Sequence, residues 1–175
     1  RHWMLRVPFL SSDNVKLSAT DADMRIKIAN FANIYNIDEN AMSDSVIIVP
    51  TYNEKENIEA IIRAVTSLGK AFDILIIDDG SPDGTADIVK GLMKEEGLSG
   101  RVHIVERSGK LGLGTAYICG FKWALEHGYD YVIEMDADFS HSPNDLPRLY
   151  AACHDEGYDV SVGSRYVSGV NVVNW

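Results

Sequence analysis

"VIEMDADFSHSP", residues 132–143, runs from an apolar stretch into Asp136 and Asp138 and then into serines, a histidine and a proline. Ser142 suits a helix N-cap. Pro143 suits the first helical position, where its fixed φ is already helical and its missing N–H would have had no partner. The stretch therefore reads as a strand, a turn and the start of a helix, with both acids at the carboxyl end of the strand. Carboxylates this close repel one another unless a cation lies between them, and that edge of an open α/β sheet is where ligands bind.

The same alternation extends outward on both sides. "SVIIVP" (45–50), "FDILIID" (72–78), "RVHIVE" (101–106) and "DVSVGS" (159–164) join "DYVIEMD" (130–136) as strand candidates. Amphipathic segments separate them. The first carries Ile58, Ile61, Ile62 and Val65 as one stripe, with Asn53 placed to cap it and Glu56 three residues on, as in a capping box. The second runs from about Thr85 to Glu96 with Ile88, Val89 and Leu92 inward. The third starts near Gly114 with Tyr117, Phe121, Ala124 and Leu125 on one side, and the fourth follows Pro143. Repeated βαβ units predict an α/β fold built on a mostly parallel sheet with helices on both faces.

Residues 1–41 show no clean period of two or of 3.6, and Met42 stands just ahead of the first clear strand. The expectation is an N-terminal extension outside a core domain of residues 42–175, with Met42 as the natural start.

Composition narrows the function classes. The 175 residues are 46% hydrophobic, as in a soluble globular domain, and carry a formal charge of −10. That charge excludes a nucleic-acid surface, which needs clustered Lys and Arg to displace counterions from phosphates. Cys119 and Cys153 read as thiols of a reducing compartment. No apolar stretch approaches the roughly 20 residues that span a bilayer, and the opening residues lack the apolar region of a secretory signal. These features predict a cytoplasmic protein able to meet a membrane surface.

Four loops follow strands and converge on one edge: "PTYNE" (50–54), "DDGSPDGT" (78–85), "RSGKLGLGT" (107–115) and "DADFSH" (136–141). Asp136 and Asp138 suit a hard divalent cation, Mg²⁺ or Mn²⁺, shared with a diphosphate. Two solvated acids at a loop mouth are the plainer alternative, which the strand placement disfavours. Asp79 suits the N–H edge of a nucleobase or a ribose hydroxyl, and Asp78 suits capping of its own turn. Tyr52 offers a ring for stacking and Glu54 a further carboxylate, unless Asn53 and Glu54 simply begin a helix. Gly112 and Gly114 match neither a dinucleotide fingerprint nor a P-loop, although Lys110 or Arg107 could face an anion there. Arg165 suits phosphate neutralisation or an ion pair with a nearby acid. His141 reads as a turn or supporting residue, since no nucleophilic Ser or Cys is arranged beside it. His103 and His127 read as structural or exposed.

The stretches "VPTYNEKENI", "IIDDGSPDGT", "KLGLGTAY", "EMDADFSHSP" and "VGSRYVSG" together resemble family 2 glycosyltransferases of the GT-A fold, specifically the dolichyl- or polyprenyl-phosphate mannosyltransferases. The resemblance covers residues from about Ser45 to the end. It implies metal-assisted transfer of mannose from GDP-mannose to a polyprenyl phosphate with inversion, at the cytoplasmic face of a membrane. It also implies nucleoside contacts from Pro50, Tyr52, Glu54, Ile77 and Asp79, metal and diphosphate contacts from Asp136, Ala137 and Asp138, and phosphate contacts from Arg165. The family continues past "NVVNW" with acceptor-binding residues and membrane-associated helices. The expectation is therefore a chain that holds the nucleotide half, lacks much of the acceptor half, and binds GDP-mannose without efficient turnover unless missing helices or an anchoring subunit are supplied. Three alternatives stay open on the residues alone: another donor such as UDP-glucose, an Asp-x-Asp phosphohydrolase with Asp136 as nucleophile, and a non-catalytic nucleotide-binding fragment.

Overall fold

The computed structural model describes residues 3–6 and 43–164. Its strands are β1 (Trp3–Arg6), β2 (Ser45–Thr51), β3 (Asp73–Asp78), β4 (Val102–Glu106), β5 (Tyr131–Glu134) and β6 (Val160–Val162). Its α-helices are α1 (Ile58–Thr66), α2 (Thr85–Leu92), α3 (Leu113–Glu126) and α4 (Leu146–His154), the last preceded by a 3₁₀ turn over Pro143–Asp145. One sheet runs in the order β4-β3-β2-β5-β1-β6. Its β4-β3-β2-β5 portion is parallel, and β1 lies antiparallel between β5 and β6. Thus Trp3–Arg6, from the stretch expected to be an extension, is paired inside the sheet. Met42 and Arg165 lie outside the described residues.

The central strands β2 and β3 are buried on both faces, which is why they read as unbroken Val and Ile runs instead of alternating. On one face Ile47, Val49, Ile74, Ile76 and Ile133 meet Ile58, Ile61, Ile62 and Val65 of α1, Val89 and Leu92 of α2, and Leu146, Leu149 and Cys153 of α4. On the other, Val46, Ile48, Leu75, Ile77 and Val132 meet Ala116 and Ala124 of α3. Helices therefore cover both faces of a mostly parallel sheet.

Three local expectations are corrected. Asn53 does not cap α1: its φ is 62° and the helix begins at Ile58, after a turn in which the Glu54 carbonyl accepts from the N–H groups of Asn57 and Ile58. Ser142 does stand at the N-cap with Pro143 at the first helical position, but of a 3₁₀ turn, and it caps through its carbonyl, which accepts the Asp145 N–H at 3.1 Å, without a side-chain hydrogen bond. The large side chains of α3 do not form its buried stripe. Ala116, Gly120 and Ala124 face the sheet, Tyr117 and Phe121 are half-buried, and Leu125 is 50% exposed. Small residues on that face let the helix approach Ile48 closely, which turns the bulkier side chains outward.

Candidate active site

The chain passes from β2 to β3 to β4 in one direction and then returns to place β5 on the other side of β2. The carboxyl ends of β2 and β5 therefore flank the point where strand order reverses, and a crevice opens there in such sheets. Pro50 marks the opening. The β2–β5 pairing extends only to Ile48 and Glu134, closed by the Met135 N–H on the Ile48 carbonyl at 3.0 Å. Two residues later in β2 the main chain faces that side again, where β5 has already departed, so the missing N–H of Pro50 breaks no ladder bond.

Asp136 and Asp138 stand beyond the end of β5. Ala137 between them is buried in the core, while Asp136 is half-buried and Asp138 exposed in the turn that follows the strand. The Asp136 side chain is 42% exposed, its Oδ1 lies 3.3 Å from the Tyr117 hydroxyl, and its Oδ2 lies 3.7 Å from Nδ1 of the buried His141. Asp138 is exposed and accepts the Ser140 N–H at 2.8 Å across the left-handed Phe139, φ 57°. Hydrogen bonding to Ser140 outweighs partial burial and holds the Asp138 carboxyl below its usual pKa. Burial and then the Asp136 charge raise that of Glu134. The Asp136–Asp138 pair fits a hard divalent cation: it offers anionic oxygens at the crevice mouth. Among the described residues, no group of three or more His, Cys, Asp or Glu could enclose a metal.

Across the crevice, Asp78 is occupied structurally. Its carboxylate accepts from the Thr51 hydroxyl at 2.9 Å, the Ser81 N–H at 2.9 Å and the Ser81 hydroxyl at 2.6 Å, the turn-capping role expected of it. Asp79 is also held. Arg107 donates through Nε to Oδ1 at 2.5 Å and through Nη2 to Oδ2 at 2.8 Å, and the Leu111 N–H approaches Oδ2 at 3.3 Å. Arg107, expected to face a ligand anion, is paired instead with this protein carboxylate. The pairing was legible in outline, since opposite charges directly follow two adjacent strands whose last paired residues are Asp78 and Glu106.

The remaining candidates divide between side-chain and main-chain roles. Tyr52 is 39% exposed, and the Lys110 ammonium lies 4.7 Å from its ring centre. Glu54 receives the Asn57 amide at 3.1 Å, while its N–H donates to the Thr85 hydroxyl at 3.1 Å. Ile77 is wholly buried, and Ala137 nearly so, which leaves their main chains for any ligand. His103 and His127 pack against Trp123, away from this edge. Tyr117 was missed as a site residue because its half-buried ring reads as part of an apolar stripe.

Residues 46–175 match the sequence profile described as Glycosyl transferase family 2. "Polyprenol monophosphomannose synthase" of Mycolicibacterium smegmatis is 47% identical over 75% of this chain and 48% of its own length. "Undecaprenyl-phosphate mannosyltransferase" of Micrococcus luteus is 45% identical over 73% of this chain and 51% of its own. The chain thus spans about half the length of these curated relatives. Among solved structures, residues 1–349 of S. aureus TarS superpose with a TM-score of 0.50 at 24% identity, over 64% of this chain and 32% of that one, which shows a shared fold. With the profile spanning most of the chain and the carboxylate pair set at the reversal point of a mostly parallel sheet, this chain belongs to glycosyl transferase family 2.

Proposed function

We propose that the chain supplies the nucleotide-sugar half of an enzyme that transfers mannose from GDP-mannose to a polyprenyl phosphate, inverting the anomeric carbon. The observation that carries this reading is the Asp136–Asp138 pair at the crevice edge of a chain 47% identical to a protein named for polyprenol monophosphomannose synthesis. Mg²⁺ or Mn²⁺, when bound, neutralises charge that develops on the departing diphosphate.

The protein's own residues supply the rest. Asp138, kept ionised by its contact with Ser140, and Asp136 hold the cation. Tyr52 stacks on the base, Asp79 and the main chain at Pro50 and Ile77 take the nucleoside, and Lys110 and Arg165 face phosphate. A phosphate monoester acceptor has a second pKa of about 6 and is largely ionised at neutral pH. Its oxygen attacks the anomeric carbon as GDP leaves from the opposite side, with no general base required. Among the described residues no helix is long and apolar enough to cross a membrane. The lipid acceptor is proposed to be met at a membrane surface, with parts of the relatives' length that this chain does not span.

Calorimetric titration of GDP-mannose with and without Mn²⁺, on the wild type and on Asp138→Asn, tests this reading. Mn²⁺-dependent binding in the wild type and its loss in the variant are expected, with UDP-glucose a poor competitor. Equal binding by the variant, or preference for UDP-glucose, would overturn it.

A further inference from the structure

The segment from Arg107 to Tyr117 leaves β4 and enters α3, and it reaches the carboxylates on both sides of the crevice. At its beginning Arg107 grips Asp79 with two nitrogens, while its third, Nη1, donates to the Thr115 hydroxyl at 2.8 Å. Thr115 in turn donates to the Gly112 carbonyl at 2.7 Å, tying the guanidinium to the first turn of α3. Two residues further along the same helix, the Tyr117 hydroxyl donates to Asp136 Oδ1. Arg107 and Asp79 are each only 9% exposed in their side chains, so neither exchanges freely with solvent.

We propose that Arg107 and Tyr117 are positioning residues: Arg107 fixes the plane of the Asp79 carboxylate for the nucleoside, and Tyr117, with His141 Nδ1 3.7 Å from the other oxygen, holds the Asp136 carboxylate in one orientation for the cation. The start of α3 is thereby tied to both ends of the site, to Asp79 through Thr115 and Arg107 and to Asp136 through Tyr117. The inference rests on the function proposed above and adds residues to it. Its chemistry is that of outer hydrogen bonds that orient ligating carboxylates, combined with the fixed fork of an arginine, which a lysine does not reproduce. The 3.3 Å Tyr117 contact is of the kind that shortens when a ligand closes the site.

The test uses the full chain and measures two affinities separately. Free Mn²⁺ is titrated by electron paramagnetic resonance with no nucleotide present, and GDP is titrated by calorimetry with no metal present. Tyr117→Phe keeps the ring and removes only the donor. It is expected to weaken Mn²⁺ binding by roughly 10-fold while leaving metal-free GDP binding within about twofold. Arg107→Lys is expected to show the opposite split, with metal-free GDP binding weakened and Mn²⁺ binding retained. A merely structural role would lower the melting temperature and both affinities together. That parallel loss, or Mn²⁺ binding by Tyr117→Phe equal to the wild type's, would overturn the inference while leaving the proposed function standing. A wild type that binds GDP-mannose neither with nor without Mn²⁺ would remove both.

Discussion

Gly120 lies so close to Ile48 that a Cβ built on it would stand 2.7 Å from both Cγ2 and Cδ1 of that side chain. Ile48 is fully buried, and its Cγ2 is attached directly to Cβ, so it cannot swing clear as the end of a long side chain would. Gly120→Val is expected to destabilise the fold by about 1–3 kcal/mol through overpacking, because valine's better helix propensity offsets only a few tenths of that. Urea denaturation measures the effect. An unchanged midpoint would mean that α3 rides further from the sheet than described, and that Thr115 and Tyr117 do too.

The Asp79–Arg107 pair makes a second stability test. Breaking a buried ion pair from one side leaves the other charge uncompensated, at a cost of roughly 3 kcal/mol. Asp79→Ala is expected to lose about that much, and Asp79→Ala/Arg107→Met to recover most of it, because no lone charge then stays behind. A double variant less stable than either single one would show that the guanidinium is held chiefly by other partners.

Asp44 gives the fold a pH dependence with a definite sign. Burial alone would raise its pKa, but hydrogen bonds from Lys70 and Tyr150, together with the Lys70 charge, hold it below the ordinary 3.8. A carboxylate whose folded pKa is depressed contributes stability that is fully present above the unfolded value. That contribution is lost as pH falls through the folded one. Asp44→Asn should therefore be less stable than the wild type at pH 7 by about 1–3 kcal/mol. The gap should close as the solution is acidified below the ordinary 3.8. Thermal melts from pH 7 down to pH 2 follow it, and a gap independent of pH would contradict the assignment.

Lys110 covers one face of the Tyr52 ring, so a base can stack only on the other or must displace the ammonium. Base–aromatic stacking is worth about 1–3 kcal/mol. Tyr52→Ala should weaken GDP binding by the corresponding factor of roughly 5 to 150, whereas Tyr52→Phe, which keeps the ring, should bind nearly as the wild type does. Equal affinities for all three proteins would place the base elsewhere.

Much of this fold was legible in the chain because its signals are local. Val and Ile runs, turn formers between them and the apolar stripe of α1 depend on neighbours a few residues away. The acids of "DADFSH" declare their position at a strand end through the proline that follows. The helix starts were less legible. Asn53 has the chemistry of a cap, but the loop needs it in the left-handed region, with its N–H on Ser81 at 3.0 Å, and a residue used there cannot also cap.

By itself, then, the sequence determined the α/β class, the strand and helix candidates, and the acids that end β3 and β5. Tertiary structure alone decided what each of those acids touches within the protein: Asp78 its own turn, Asp79 the Arg107 guanidinium, and Asp136 the Tyr117 hydroxyl. It also decided that α3 meets the sheet through Ala116, Gly120 and Ala124. Such choices depend on the separation of side chains distant in sequence, 28 residues for Asp79 and Arg107 and 19 for Tyr117 and Asp136. A hydrogen bond forms only where packing has already brought donor and acceptor to about 3 Å.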